Sequence, residues 1–262
     1  VPHEAVGAIP AVLGDILAHF KPESIVHRNI MVYGIAESAL SEKIAFWEDA
    51  LPGNMHLAYL PNTLTGIRLR LSAYGGEKKA QEKRLEAKME ELKGILGPLV
   101  YALSDTNLET AVGHILKERG ETVSAAESCT GGEIAHLFTS VSGSSAYFLG
   151  SVTSYAVSVK ERVLGVPPET IKERGVVSSE VAAAMAEGVR RLTGSTYSVA
   201  TTGLADRDGD GKNPGGTVWI GVSGPRGTRT VKYCYKNDRV RNIERFAASA
   251  LNFLRLYIEN QL

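Results

Sequence analysis

Apolar residues recur along this chain in two rhythms, the 3.6-residue period of helices and the alternation or short solid runs of strands. The opening segment, Val1 to about Pro22, sets Val12, Leu13, Ile16, Leu17 and Phe20 at helical spacing, with Pro10 assigned to the first turn and a Lys-Pro pair closing it. Nothing nearby in sequence offers that face a partner, so the segment reads as the end of a larger unit.

The pattern changes at Ser24. Residues 25–33 form a strand-like run that Gly34 stops, and residues 37–49 carry Leu40, Ile44 and Trp47 at helical spacing. Two more strands are expected over 55–60 and 66–72, with Pro61-Asn62-Thr63 as the turn between them. A charged helix follows over 77–96, striped by Leu85, Met89, Leu92 and Leu96, and its alternating charges mark a solvated face. A strand at 99–103 closes a β-α-β-β-α-β unit over 23–103.

After a linker at Ser104-Asp105-Thr106, a helix over 107–119 stops at Gly120. From there strands (122–126, 147–155, 195–201, 217–223, 230–235) alternate with helices (133–140, 158–164, 179–193, 238–260). Such alternation predicts an α/β fold: a three-layer α/β/α domain over 104–262, behind the smaller α+β unit.

Composition narrows the class. Lys+Arg and Asp+Glu both number 29, so the net charge is zero, against a dedicated nucleic-acid binder or a polybasic membrane-surface protein. No apolar run approaches the ~18 residues of a membrane helix. The two cysteines, Cys129 and Cys234, make no metal-ligand spacing and fit a reducing, cytoplasmic setting. The chain opens on Val1, which fits a trimmed chain or a piece of a longer one.

Chemistry concentrates in Ala125-Ala126-Glu127-Ser128-Cys129-Thr130-Gly131-Gly132, between a strand and a helix. A corner of this kind exposes one side chain and aims free N–H groups and a helix dipole at whatever precedes the helix. Ser128 is placed as a nucleophile there; a polar helix cap with packing glycines accounts for the same letters. The motifs of α/β-hydrolases and P-loop enzymes are missing. Cys129, at a helix start, is an alternative nucleophile. The six histidines are scattered, so the base is sought elsewhere. Lys160, 32 positions beyond Ser128, begins a helix after a strand and serves as base if held in a dry pocket, or is a solvated helix lysine if not. A Gly-rich loop at 201–217 is of the ligand-binding sort; its Asp206, Asp208, Asp210 and Gly211 mimic a calcium loop, but the twelfth position is Thr217 rather than Glu. Gly94-Ile95-Leu96-Gly97 matches the G-x-x-G of KH modules, though it ends a helix and holds no basic residue.

Taken together, 126–132, Gly143-Ser144-Ser145, Tyr155 with Lys160, Gly175-Val176-Val177-Ser178, Thr202-Gly203 and Asp238-Arg239 resemble the C-terminal domain of the CinA (competence/damage-inducible) proteins, a domain also found alone as nicotinamide mononucleotide deamidase. Gly34-Ile35-Ala36-Glu37-Ser38 resembles the KH-like domain before it, and Val1-Pro2-His3-Glu4 the last motif of the family's molybdopterin-binding-like N-terminal domain, so that 1–22 would be a remnant helix of that domain. The resemblance implies an amidohydrolase of pyridine-nucleotide salvage that needs no cofactor or metal. Ser128 would be nucleophile and Lys160 base; Thr130, Gly131 and Gly132 would face the oxyanion. Thr202, Gly203 and Tyr155 would border the nicotinamide pocket, and Arg239 would anchor the phosphate. A small pyridine nucleotide is the expected partner and a homo-oligomer the expected state, with neither membrane nor nucleic acid. The family usually carries Ala-Gly-Pro where this chain reads Ala205-Asp206-Arg207, and a polar residue at Val157. A non-catalytic nucleotide-binding or regulatory module is the rival reading.

Overall fold

A computed structural model describes residues 2–20, 24–62 and 64–262 of the chain. Helix α1 (Pro2–His19) carries Pro10 in its interior, not in its first turn; Pro2 occupies that place, where its missing N–H costs nothing. Ile9, Val12, Leu13, Ile16, Leu17 and Phe20 are all exposed. The Lys-Pro pair assigned to the helix end, the boundary at 22–23 and Thr63 of the expected turn lie outside the described residues.

The first folded unit runs β1 (Ile25–Val32), α2 (Glu37–Asp49), β2 (Met55–Asn62), β3 (Gly66–Tyr74), α3 (Lys78–Leu96) and β4 (Val100–Ala102). Its sheet is antiparallel in the order β2-β3-β1-β4. Alternation along β3 buries Ile67, Leu69 and Leu71, which pack with Leu40, Ile44 and Trp47 of α2 and Leu85, Met89 and Leu92 of α3. Pro61 and Asn62 belong to β2 rather than to a turn.

The second unit comprises α4 (Leu108–Arg119), β5 (Val123–Glu127), α5 (Glu133–Ser140), β6 (Phe148–Thr153), α6 (Val157–Arg162), α7 (Pro168–Arg174), α8 (Ser179–Thr193), β7 (Tyr197–Gly203), β8 (Thr217–Gly224), β9 (Gly227–Cys234) and α9 (Arg239–Ile258). The sheet order is β6-β5-β7-β8-β9, with β5 parallel to β6 and β7 and the last two strands antiparallel. Opposite pleats of one strand feed two cores. Val123 and Ala125 pack with Leu116, Phe138 and Leu251 of α4, α5 and α9, whereas Ala126 packs with Val181, Met185 and Val189 of α8. The domain is therefore three-layered, with β5 buried along its whole length in the middle. Helix α7 was not expected from the pattern: it is one short, charge-rich piece between Pro167 and Gly175 that buries no residue fully.

The two units are tied through α9. Arg255, fully buried, donates to the carbonyls of Pro98 (2.7 Å) and Val100 (3.2 Å) and pairs with Glu259 (2.6 Å). Burial lowers its pKa and Glu259 opposes that shift. Tyr33 and Ser249 share a hydroxyl contact of 3.2 Å across the same seam. No helix among the described residues is long and apolar enough to cross a membrane.

Candidate active site

Strand β5 ends at Glu127, and the chain turns at once into Ser128, at the C-terminal edge where the parallel strands of an α/β sheet present their ligands. Two backbone bonds hold the corner: the Ser128 N–H donates to Thr201 on β7 (3.0 Å) and the Ser154 N–H, just past β6, donates to Glu127 (2.7 Å). The nucleophile candidate is thus gripped by both neighbours of its strand.

The Glu127 side chain, fully buried, does the rest. Its carboxylate accepts from the N–H groups of Gly132 (3.0 Å), Ile134 (3.0 Å) and Ala135 (2.9 Å), satisfying the free donors of α5's first turn with a negative charge at the positive end of the helix. Gly132 makes the entry possible, since φ is +112° there. This corrects one expectation. The Gly132 N–H serves Glu127 and the Gly131 N–H serves the Ser128 carbonyl (3.2 Å), so neither faces an oxyanion. The N–H groups of Cys129 and Thr130 donate to no backbone or side-chain acceptor among the described residues and are the donors left at the corner.

Lys160 sits on α6 with no exposed surface. Its Nζ lies 2.9 Å from Ser128 Oγ, 2.5 Å from the Ser154 carbonyl and 3.2 Å from the Tyr155 carbonyl. No carboxylate pairs with it among the described residues. Burial pulls its pKa below the ordinary lysine value, against a smaller opposing effect of Cys129. An ammonium donates to all three oxygens; the neutral amine donates to the two carbonyls and turns its lone pair on the Ser128 hydroxyl. Cys129 is the opposite case: buried, with its thiol pushed up to about 12, it is no thiolate nucleophile.

Ser128 is 8% exposed and opens on a cavity of about 190 Å3 lined by Cys129, Tyr155, Gly203, Leu204, Asp206 and Arg239, among others. Gly203 is required where it stands: a Cβ there would lie 2.4 Å from the Thr217 carbonyl and 3.2 Å from the Cys129 sulfur. Thr202 is not in the lining; its hydroxyl donates to the Val176 carbonyl (2.8 Å) on the other pleat. The Thr130 hydroxyl is likewise held internally, 2.7 Å from that of Thr201. Tyr155 is past the end of β6 rather than in it and is 65% exposed, forming the rim. Arg239, first residue of α9, is already engaged: it pairs with Asp206 (2.5 Å) and donates to the Tyr155 hydroxyl (3.3 Å). Asp206 and Asp208 line the mouth, and Asp210 accepts from the N–H groups of Lys212 and Asn213, a turn rather than a calcium site. No cluster of metal ligands occurs among the described residues.

The structure therefore joins Ser128, Tyr155, Gly203 and Arg239 around one cavity, sets Lys160 behind Ser128 with no surface of its own, and leaves Gly131, Gly132, Thr202 and the Thr130 side chain out of the lining. Sequence reasoning assigned no role to Glu127 or to the Ser154 carbonyl. An acidic residue closing a buried strand immediately before a helix start was the available signal for the first; the second is a backbone group and leaves none.

Residues 105–258 match the family profile described as the CinA C-terminal domain, and residues 27–102 match that of the damage-inducible protein CinA KH domain. The chain belongs to the CinA family. CinA-like proteins of Flavobacterium psychrophilum and Salinibacter ruber are 39% identical over 245 residues and 43% identical over 226 residues. Those alignments take in 93% and 86% of this chain but 58% and 54% of the relatives, so the chain spans little more than half the length of the CinA-like proteins it matches. Among solved CinA-superfamily structures, competence damage-inducible protein A of Klebsiella pneumoniae is 28% identical with a TM-score of 0.57, covering 59% of this chain and 97% of its own. The competence/damage inducible protein of Agrobacterium tumefaciens is 29% identical with a TM-score of 0.54, covering 58% and 93%.

Proposed function

We propose that this CinA-family chain is a serine amidohydrolase that converts nicotinamide mononucleotide to nicotinate mononucleotide and ammonia, in pyridine-nucleotide salvage. One observation carries the reading: a buried lysine with a lowered pKa, unpaired with any carboxylate, 2.9 Å from a serine hydroxyl at the floor of a cavity.

Ser128 Oγ attacks the carboxamide carbon and its proton passes to neutral Lys160. The Cys129 and Thr130 N–H groups are the donors available to the oxyanion. Collapse breaks the C–N bond, with the Lys160 proton going to the departing nitrogen as ammonia forms. Water then adds to the Ser128 ester, giving a proton to Lys160, and that proton returns to Ser128 Oγ as the acid leaves. A cavity of about 190 Å3 is below the ~300–1,000 Å3 of pockets that enclose a drug-sized ligand. It suits the reacting amide and its ring, leaving ribose and phosphate at the mouth beside Arg239.

Ammonia release from a panel of pyridine amides and nucleotides tests this. Ser128→Ala should lower turnover of the mononucleotide at least ~10^3-fold, by analogy with nucleophile removal in other serine enzymes. Full activity in Ser128→Ala would refute the mechanism, and calorimetric binding of the mononucleotide with no ammonia release by the unaltered chain would make this a binding module.

A further inference from the structure

A second, larger cleft of about 650 Å3 lies between the two units, away from Ser128. Its walls come from the β1–α2 corner and the end of β2 on one side and from β9 and α9 on the other. Two donors on α9 point to a ligand there. Asn252 is 6% exposed, and its Oδ1 accepts from Arg255 Nε (3.3 Å) and Nη2 (2.9 Å). Two donors on one oxygen fix the amide orientation, so Nδ2 is turned the other way, toward the Gly34 side of the cleft; a Cβ at Gly34 would stand 3.9 Å from it. That Nδ2 meets no acceptor among the described residues. Arg245, one face of its guanidinium 4.3 Å over the Tyr235 ring, has its Nε buried without an acceptor and has no carboxylate partner among the described residues. The start of α2 adds backbone donors, since Ala36 supplies no side-chain cap. The one carboxylate in the lining, Glu37, is exposed at the rim.

Beside these donors the lining turns apolar and aromatic, with Ile35, Pro61, Ile67 and Tyr233, the last stacked at 5.9 Å and 9° on Tyr235, the ring under Arg245. A cleft of nucleotide size with unpaired donors and a flat aromatic wall beside them matches a ligand with an anionic group and a planar ring.

We infer that this inter-domain cleft is a second binding site, independent of the Ser128 cavity, for a nucleoside monophosphate, its phosphate taken by Arg245, Asn252 and the first turn of α2. Asn252 lies 13 residues beyond Arg239 on α9, roughly 20 Å along the helix, so occupancy there does not need the reactive cavity.

Calorimetry of the intact chain with AMP, and separately with inorganic phosphate, tests the site. The expected result is saturable AMP binding at least tenfold tighter than phosphate. Asn252→Asp, which keeps the acceptor for Arg255 but turns the free donor into an anion, should weaken AMP at least tenfold. Arg245→Gln should do the same, and it decides the matter alone if Asn252→Asp fails to fold. Ammonia release should be unchanged in both, because neither residue touches the Ser128 cavity. Absence of AMP saturation at millimolar concentration, an AMP affinity no better than that of phosphate, or an affinity indifferent to Arg245→Gln would overturn the proposal. AMP bound in the Ser128 cavity would show itself by that indifference.

Discussion

Lys160 is a charged residue type placed where charge is costly, and its chemistry follows from that. Burial disfavours the ammonium, so the neutral amine is reached below the usual lysine pKa near 10.4. The sign gives a test: activity should climb with pH as Lys160 loses its proton and level off above its lowered pKa. Lys160→Arg, whose guanidinium never deprotonates, should erase that limb and cost about 10^2–10^4-fold, measured as kcat against pH. A profile unchanged by the substitution would remove Lys160 from the base role. Arg239 is also decided by its partner. Its pairing with exposed Asp206 means that a phosphate at the mouth competes with a carboxylate of the chain itself. Asp206→Asn should therefore lower KM for the mononucleotide by about 1.4- to fivefold, the size of a ~0.2–1 kcal/mol exposed pair, and leave the phosphate-free nucleoside unaffected. Equal effects on both substrates would show that Arg239 does not read the phosphate.

At the scale of elements, the β5–α5 corner explains why a nearly buried serine can open on a cavity at the end of a strand that is buried throughout. Glu127 caps three N–H groups of α5 and so locks the turn that carries Ser128. In Glu127→Gln one amide oxygen replaces two charged acceptors and an NH2 group meets a helix N-terminus. Stability should fall by roughly 2–4 kcal/mol in denaturant titration, given about 1.5–3 kcal/mol for a hydrogen bond to a charged group. Turnover should fall with it, by tenfold or more. A midpoint equal to that of the unaltered chain would mean that the backbone bonds to Thr201 and Ser154 hold the corner unaided. Most elements at this scale were legible in the hydrophobic pattern, since helices α3, α8 and α9 and strands β1, β3 and β7 bury the residues whose spacing announced them. Helix α7 was not, because a seven-residue piece without a buried stripe leaves no period to read. Pro10 misled for a related reason: an interior proline is rare, so spacing assigned it to a helix start.

For the whole molecule, α9 is the element on which the parts meet. Its first residue borders the Ser128 cavity, its middle lines the inter-domain cleft, and Arg255 near its end reaches the backbone of the smaller unit. Arg255→Ala would strand the Pro98 and Val100 carbonyls, at roughly 1–3 kcal/mol for each buried acceptor left unmade. Scanning calorimetry should then show the single unfolding of coupled units split into two transitions, the KH-like unit melting first. One transition with an unshifted midpoint would show that apolar contacts alone couple the units.

The fold class, and Ser128 and Lys160 as separate candidates, were accessible from local order, because periodicity, glycine punctuation and a strand-turn-helix motif are properties of neighbours in sequence; that the two act together, 32 positions apart, was implied only by the family resemblance. Whether Lys160 is dry, whether the N–H groups of Gly131 and Gly132 are free, and whether Arg239 is at liberty to meet an anion are questions of which distant groups arrive at the same point. Ser154 and Tyr155 carbonyls, Glu127 and Asp206 settle them, and they reach their partners only when β5, β6 and the 204–216 loop are brought together by the sheet. Electrostatics and hydrogen-bond satisfaction depend on distance in space, and a linear pattern does not contain it.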